Sequence, residues 1–492
     1  LILSVEIVAL IVSALVVLVG LLLWRLSSAP VSLETVQPWV ANALGDNLSG
    51  ISVSIGATEA AWGGLTDLLQ LRLQNVTVTA DDDSGLLSVP ELTAVFSVRG
   101  ILGGEYVPVE LRLRRPHLTV NRGLAATAAP PPTKAGRDLS QVLGLFAAPS
   151  GSSSPFSELD EIDIVDGQVT IHHVRWQTPL RLTVPKLTST RDANGLGLNG
   201  SARIAVGVPP AMLSLSALYN RETGLLDSRV EFAGVDWDQI TEFFPEIARL
   251  GRFEEPVSGF SNLTLDPQTL RLQQAKFAAQ SGRGALRLAD LLEAPIRFDQ
   301  MRVNLDFDGA TNSLTISQLD LRRGDSKLST SALIKGPLAE QQWSVQGSAD
   351  GLAIAELDQI WPENVLQLSR RWVMANLSGG TVDGVDFTVG GSLSNWSPKQ
   401  AKLTDYAADI GFSDVQARVL KRLPPIQQTA GQIHLENDLV VISVTQGLMA
   451  KTQLQRGTIT ISETRSKAPQ VVADIEVTGL IRDGFQIAAQ AL

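Results

Sequence analysis

The feature that most restricts how this chain can fold is a period-two alternation of apolar and polar residues that changes phase within single segments. In LRLQNVTV, the apolar positions Leu71 and Leu73 give way to Val76 and Val78. Successive side chains of a strand point to opposite faces, so a change of phase requires a bulge, a bend or a turn. The pattern therefore predicts strands in a strongly twisted or curved sheet.

Later segments repeat this pattern. In IRFDQMRVNLDFD, Ile296 and Phe298 share a face, and after a change of phase Val303, Leu305 and Phe307 share a face. In SLTISQLDL, Leu314 and Ile316 share a face before a change of phase to Leu319 and Leu321. In GVDFTVG, Val385, Phe387 and Val389 share a face. In the last segment, Asp386 and Thr388 hold the alternate positions. The alternation predicts a sheet with one apolar and one polar face.

The first 25 residues predict a transmembrane helix. The apolar run Ile7–Leu23 ends at Trp24 and Arg25, residue types that lie at membrane interfaces. About 23 helical residues cover roughly 35 Å, which exceeds a hydrocarbon core of about 30 Å. A cleaved signal peptide with a site at Ser27–Ala29 is the alternative, but its apolar core is usually about 7 to 15 residues long. We therefore expect a bilayer anchor over residues 1–25.

Composition favours an all-β class with minor helix. The 492 residues include 41 Gly, 24 Pro and no Cys, and short apolar runs between Gly and Pro indicate strands and turns. The net charge is −11, without a basic run, so we expect no nucleic-acid partner. The lack of Cys removes thiolate metal sites and Cys nucleophiles.

The chain divides by composition into four parts. Residues 1–25 are the anchor, 26–123 an N-terminal β module, 124–157 a linker or loop rich in Pro, Ala and Ser, and 158–492 a second β region. Within the last part, we expect helices near 235–250 and 354–377.

The second of these helices is predicted to begin at Pro362, a residue suited to the first helical position. Val365, Leu368 and Trp372 would then form one apolar stripe that packs against the sheet.

No motif points to catalysis. His172 and His173 are adjacent, so a strand would direct them to opposite faces, away from a shared metal. The chain has no phosphate-binding loop, nucleophile elbow or zinc-protease motif. We expect a non-enzymatic protein without catalytic residues, metal ligands or cofactors.

Two sets of segments carry a family resemblance. The anchor followed by GISVSIGATEAAW, LQLRLQNVTV and VPVELRLRRPHLTVNR is similar to the start of AsmA-like envelope proteins. WPENVLQLSRRWVMANLSGGTVDGVDFTV, together with the later YAADIGFSDVQARVLKRLPPIQQTAGQIHLENDLVV, resembles the large YhdP-type branch of that family.

The resemblance implies a bridge-like lipid-transfer protein. Its implied fold is an elongated, curved, mostly antiparallel β-sheet that forms a taco-like groove, with a few short helices. The implied location is the bacterial inner membrane, crossed once, with most of the chain in the periplasm. Phospholipids and the inner membrane would be its partners, with outer-membrane or other envelope proteins as further partners.

Within this interpretation, ten residues are candidates for lining the lipid groove: Ile296, Phe298, Val303, Leu305, Phe307, Leu314, Ile316, Val385, Phe387 and Val389. Trp24 and Arg25 are the candidate membrane-interface residues. The same periodicity also fits a closed β-sandwich core. A structural or assembly factor that binds proteins through its sheet is the alternative function, and a glycan-directed enzyme or binding module is a third.

Overall fold

A computed structural model provides the structure. It describes residues 31–32, 51–61, 69–80, 85–97, 108–122, 158–173, 178–191, 193–204, 210–236, 252–253, 255–269, 271–287, 292, 294–337, 340–363, 365–394, 401–418, 424–464 and 470–480. The predicted anchor at 1–25 with Trp24 and Arg25, the linker at 124–157, and nearly all of the helix predicted near 235–250 lie outside the described residues.

The described chain is mainly β, which confirms the predicted class. Its strands are β1 (Val31–Ser32), β2 (Ile51–Ser54), β3 (Ala57–Ala61), β4 (Leu69–Ala80), β5 (Gly85–Phe96), β6 (Pro108–Arg114), β7 (His117–Arg122), β8 (Glu161–His173), β9 (Leu180–Arg191), β10 (Gly195–Ile204), β11 (Ala211–Asn220), β12 (Leu226–Val235), β13 (Arg252–Phe253), β14 (Val257–Asp266), β15 (Arg271–Ser281), β16 (Gly284–Arg287), β17 (Ile296–Phe298), β18 (Gln300–Asp308), β19 (Ser313–Arg323), β20 (Ser326–Lys335), β21 (Gln341–Ala353), β22 (Leu377–Ser378), β23 (Thr381–Leu393), β24 (Lys402–Ala417), β25 (Ile426–Glu436), β26 (Leu439–Met449), β27 (Thr452–Ser462) and β28 (Gln470–Thr478).

Helical structure in the described residues is confined to one segment between β21 and β22. It comprises a 3₁₀ turn (Ile354–Glu356), α1 (Leu357–Ile360) and α2 (Gln367–Asn376). No helix in the described part of the chain combines the length and the apolar character needed to cross a membrane.

The chain forms two compact units. Unit 1 comprises Leu1–Gly234 and Asn262–Leu272, and unit 2 comprises Val235–Ser261 and Gln273–Leu492.

Unit 1 contains a mixed sheet in which the described strand pairs are antiparallel apart from two pairs that involve β8. That strand runs parallel to both β6 and β7. β6 and β7 lie end to end beside β5, interrupted at Arg115, whose φ is +51°. Parallel neighbours need a connection of about a dozen or more residues, and the chain between Arg122 and Glu161 is longer than that.

The first change of phase occurs where the sequence predicts it. Asn75 in β4 has a φ of +52°, and the buried positions change there from Leu73 to Val76. Both side chains pack with Ile55 and Val89 in one core cluster. The left-handed residue therefore keeps the apolar residues of β4 on one face, although the spacing changes.

Unit 2 is built on an antiparallel ladder from β18 to β28. The second predicted change of phase is a bulge in this ladder, because Asn304 pairs with Gln318 and Leu305 with Ile316, which leaves Ser317 as an extra residue in β19. Two further register shifts in β24 and β25 coincide with positive φ values at Asp414 and Gln428. Such bulges bend a strand and increase its twist.

The third predicted change of phase is a break between two sheets. β17 ends at Phe298 and pairs with β16, which pairs with β13, forming a small three-stranded sheet. β18 begins at Gln300 in the main ladder. The apolar residues on the two sides of this break therefore belong to different layers.

The helical segment differs from its prediction at its start. α2 begins at Gln367, and Pro362 to Val365 form a turn in which the Val365 amide donates to the Pro362 carbonyl at 3.1 Å. Leu366 has a left-handed φ of +48°, which interrupts the helical path. Trp372 is 41% exposed, so its side chain is not fully buried.

Candidate functional site: an apolar face in unit 2

The register of unit 2 brings apolar residues into rows that cross the strands. One row runs through Leu305, Ile316, Ala332, Val345 and Val389, residues of five successive paired strands. Directly opposed residues in an antiparallel sheet point to the same face. The bulge at Ser317 preserves this alignment, because without it Leu314 and Ile316 would turn to the opposite face.

Neighbouring rows extend this surface to the last described strand. We call this surface the apolar face of unit 2. Strand by strand, its residues are Met301, Val303, Leu305 and Phe307 in β18; Leu314, Ile316, Leu319 and Leu321 in β19; Leu328, Thr330, Ala332 and Ile334 in β20; Trp343, Val345, Gly347 and Ala349 in β21; Val385, Phe387, Val389 and Gly391 in β23; Leu403, Tyr406, Ala408 and Ile410 in β24; Ile433 and Leu435 in β25; Val440 and Ile442 in β26; Ile459 and Ile461 in β27; and Val471 and Ala473 in β28. None of these residues is charged.

The opposite face of the same strands is polar. Its central row includes Asp320, Ser348, Asp386, Asp409 and His434. The His434 Nδ1 lies 2.7 Å from an Asp409 carboxylate oxygen. This hydrogen bond raises the pKa of His434 above its ordinary value, and the charges of Asp409 and Glu436 raise it further. The sheet is therefore amphipathic across its thickness.

Along the middle of the apolar face the side chains are half-buried, and toward the strand ends several side chains are buried. Val345, Phe387, Val389 and Ala408 are half-buried, and we call these four residues, with Gly347, the floor. Toward one end of the strands, Ala349 is 4% exposed. A closed sandwich would bury the floor as completely as the margins, so the floor lacks the second layer of a closed core.

Both strand ends of this region contain buried side chains. At the ends nearest the helical segment these are Met301, Leu321 and Val382, and at the opposite ends they are Gln341 and Leu393. The half-buried floor therefore lies between two sets of more deeply buried side chains.

Two elements cover the first margin. The small sheet places Leu286 and Phe298 against Met301 and Leu321. Farther along the ladder, the helical segment places Ile354 in a cluster with Ala349 and Val382. We call the small sheet and the helical segment together the cover. Because both parts lie over the same strand ends, they form one wall beside the floor.

The turn between β19 and β20 holds both parts of the cover. The Gly324 amide donates to an Asp299 carboxylate oxygen at 2.9 Å, which links the turn to the end of the small sheet. This bond, reinforced by Arg283, lowers the pKa of Asp299. On the other side, Arg323 lies 3.4 Å from Glu356 in the helical segment. The cover is therefore tied to the sheet by charged groups as well as by apolar packing.

Arg370 holds the helical segment together. Its Nε donates to the Trp361 carbonyl at 3.0 Å, and an Nη donates to the Asp358 carboxylate at 2.6 Å. The Trp361 indole in turn donates to the Val365 carbonyl at 2.9 Å. These bonds satisfy backbone groups between α1 and α2 and fix the angle between the two helices.

Aromatic rings pack over glycines on the apolar face. Phe387 is opposite Gly347, Trp343 is opposite Gly391, and a third pair is formed by Phe412 and Gly431. A Cβ added at Gly347 would lie 2.9 Å from the Phe387 ring. A ring that packs over a glycine projects less far from the sheet than a ring that packs over a larger side chain, which leaves space above the floor.

Eight of the ten predicted lining residues lie on this face: Val303, Leu305, Phe307, Leu314, Ile316, Val385, Phe387 and Val389. Ile296 and Phe298 lie in the small sheet instead, and Phe298 is 2% exposed within the cover. Contact of any of these residues with lipid remains a prediction.

Sequence reasoning missed the small residues of the face, including Ala332, Gly347 and Ala408. These residues have little apolar character of their own, so their strands gave weaker signals. The pairing register was needed to place them beside Phe387 and Val345.

The described residues offer no grouping of His, Cys, Asp or Glu suited to a metal ion. An open depression lies on the polar side, lined by residues that include Ser329, Ser348, Asp386 and Asp409. Several of its side chains are small and hydroxylated, which explains the depression without a catalytic arrangement. The expectation of no enzymatic activity remains untested.

Comparison with known protein families gives a match over the second half of the chain. A family model described as "YhdP protein" matches residues 212–491. No curated protein and no solved structure matches the chain. The matched range includes the whole ladder from β18 to β28, the helical segment and the small sheet. Because this match covers more than half of the chain, the protein belongs to the YhdP family.

Proposed function

We propose that this protein carries phospholipids from a bacterial inner membrane toward the outer membrane along the apolar face of unit 2. The observation that carries the proposal is the uncharged face across ten paired strands, β18–β21 and β23–β28, with a half-buried floor beside a covered margin. Soluble proteins rarely leave an apolar surface of this extent uncovered unless it binds something. The resemblance to the YhdP-type branch implies the same function, and the family match covers every strand of this face.

The energetics of lipid movement explain why such a face would suffice. Moving about 30 methylene groups of two acyl chains through water costs roughly 25 kcal/mol, at about 0.8 kcal/mol per group. A continuous apolar surface removes most of this cost. Nine strand intervals of about 4.8 Å give a path of roughly 43 Å along the ladder of unit 2.

In this proposal the first 25 residues anchor the chain in the inner membrane, crossing it once, and the remainder lies in the periplasm. The apolar run Ile7–Leu23 supports the anchor. Phospholipid is the bound partner, and transfer along a surface makes and breaks no covalent bond. The protein therefore acts without catalytic residues or a cofactor.

Photo-crosslinking in cells tests this proposal. A photoreactive amino acid is placed singly at five successive positions of β23, from Val385 to Val389. We expect lipid adducts at Phe387 and Val389, whose side chains lie on the floor. Asp386 and Thr388, on the polar face, are the matched controls. Val385 packs against the cluster beneath the helical segment, so we expect it to crosslink within the protein.

Lipid adducts at alternate positions would support an open path on one face. Crosslinks only within the protein at Phe387 and Val389 would show that another layer covers the floor. That result would overturn the lipid proposal and favour the structural or assembly function.

A further inference from the structure

The side chains of the apolar face differ between the cover side and the opposite strand ends. The row beside the cover runs from Met301 in β18 through Ala349 in β21 to Ile410 in β24, and none of its side chains has an N–H or O–H group. Each of the next three rows contains one side chain with such a group, and in order of distance from the cover these are Thr330, Tyr406 and Trp343. Hydrogen-bonding groups therefore lie on the side of the face away from the cover.

Trp343 and Tyr406 are amphipathic aromatic residues, because each combines an apolar ring with one hydrogen-bonding group. In membranes, these two residue types lie at the level of the headgroups, between hydrocarbon and water. The Trp343 Nε1 atom is buried, and no group in the described part of the chain accepts a hydrogen bond from it. A buried N–H without an acceptor is unfavourable, so an acceptor on a bound molecule would stabilise this side chain. The ester carbonyl oxygens of a phospholipid are acceptors of this kind.

The width of the apolar face suits an acyl chain that lies along the strands. Trp343 and Ala349 are six residues apart in β21, which corresponds to roughly 20 Å at about 3.4 Å per residue. The hydrocarbon part of one membrane leaflet is about 15 Å deep, half of a core of about 30 Å. An acyl chain whose ester lies at Trp343 therefore fits between this residue and the row beside the cover.

We propose that the apolar face binds each phospholipid in one orientation, with the acyl chains directed toward the cover and the ester and headgroup region at Trp343. Trp343 is the positioning residue, and its indole N–H donates to an ester carbonyl oxygen. The inference rests on the proposed transport of phospholipids and adds the direction in which each lipid lies. All lipids on the path then present their headgroups on the same side, away from the cover.

Competition between ester-linked and ether-linked lipids tests the contact at Trp343. The full chain carries a photoreactive amino acid at Phe387 and is placed in nanodiscs made from equal amounts of a diester phosphatidylcholine and its diether analogue, which lacks the ester carbonyls. Mass spectrometry then counts the two adducts. We expect diester adducts to exceed diether adducts roughly threefold or more, as one hydrogen bond would give.

Two matched substitutions complete this test. Trp343→Phe keeps an aromatic ring and removes the N–H, so it should equalise the two adducts. Trp372→Phe makes the same change in α2, where the side chain is 41% exposed, and it should preserve the preference for the diester lipid. A preference that survives in Trp343→Phe would overturn the role of this residue.

Photoreactive lipids test the orientation directly. A diazirine at the end of the acyl chain should label Ala349 and Leu357 beside the cover, whereas a diazirine on the headgroup should label Gln342 and Leu393 at the opposite strand ends. The reverse pattern, or the same pattern with both probes, would overturn the proposed orientation. Absence of every lipid adduct would overturn the transport proposal as well, so the failures of the two proposals are distinguishable.

Discussion

At the scale of single residues, glycine is required where a ring or a neighbouring strand occupies the space of a side chain. Gly347 illustrates both cases. A Cβ there would lie 2.6 Å from the Ser329 carbonyl oxygen and 2.8 Å from the Thr330 methyl group, besides meeting the Phe387 ring. These contacts are closer than van der Waals packing allows, so the backbone or the ring must move.

We predict that Gly347→Ala destabilises unit 2 by about 1–3 kcal/mol, the usual cost of overpacking. Hydrogen exchange of the β21 and β23 amides measures the change. Gly390→Ala in β23 is the matched control, because its Cβ would approach no atom more closely than 3.6 Å. Equal protection in the two variants would show that Phe387 does not pack over Gly347.

His434 gives a residue-scale prediction about pH. Its bond to Asp409 favours the protonated imidazole and raises the pKa of His434. The stability that this bond contributes to the folded state is therefore fully present below the ordinary His pKa, and it is lost as pH rises through the higher pKa of the folded state. We predict that Asp409→Asn lowers the pKa of His434 toward its ordinary value.

An NMR titration of the His434 ring measures this pKa in both proteins. Asp306→Asn, on the polar face of β18, is the control and should leave the titration unchanged. An unchanged pKa in Asp409→Asn would contradict the hydrogen bond between the two side chains.

At the scale of elements, the helical segment depends on the half-buried guanidinium of Arg370 more than on helix propensity. α1 has four residues and α2 has ten, lengths at which isolated helices are marginal in water. The side chain of Arg370 is 15% exposed, and it bonds to groups at Asp358 and Trp361. Charge-assisted bonds from a guanidinium are directional, so Lys cannot replace all of them.

We predict that Arg370→Lys lowers the free energy of local unfolding of the helical segment by about 1–3 kcal/mol, the cost of losing hydrogen bonds to a charged group. Hydrogen exchange should accelerate in residues 354–377 and remain unchanged in β18 and β19. Arg371→Ala is the matched control, because the exposed Arg371 bonds only weakly to the Gln367 carbonyl, at 3.4 Å. Similar exchange in both variants would assign the stability of this segment to its apolar contacts alone.

At the scale of the whole molecule, the transport proposal requires that lipids pass each strand of the ladder in turn. An obstacle at one strand then limits the entire path. Val345 in β21 and Val440 in β26 are half-buried positions of the apolar face, separated by several strands. A carboxylate at either position would place a charge against an acyl chain, which is unfavourable in apolar surroundings.

We predict that Val345→Asp and Val440→Asp each slow lipid transfer between donor and acceptor vesicles by about tenfold or more, since 1.4 kcal/mol in a barrier is a factor of ten. The double variant should transfer lipid little more slowly than the slower single variant, because the obstacles act in series. Ser344→Asp and Ser443→Asp, on the polar face, are controls. Multiplied effects in the double variant would indicate a single binding site instead of a path.

The positions of the bulges were predictable from the sequence, but their forms were not. Two changes of phase are a left-handed Asn75 and an extra Ser317 within a ladder, whereas the change near Gln300 is a break between layers. All three satisfy the same requirement, that apolar side chains face one side of a strand. Which form occurs depends on the neighbouring strand, and a local pattern does not specify it.

The sequence by itself determined the β class, the amphipathic strands and the membership of eight predicted residues in one face, because period-two alternation acts within each strand. The tertiary structure alone decided that Phe298 belongs to the cover, that α2 starts at Gln367, and that small residues such as Gly347 complete the floor. These features arise from pairing and packing between segments distant in sequence. Their free energy exists only when the segments meet, and no single stretch of the chain encodes it.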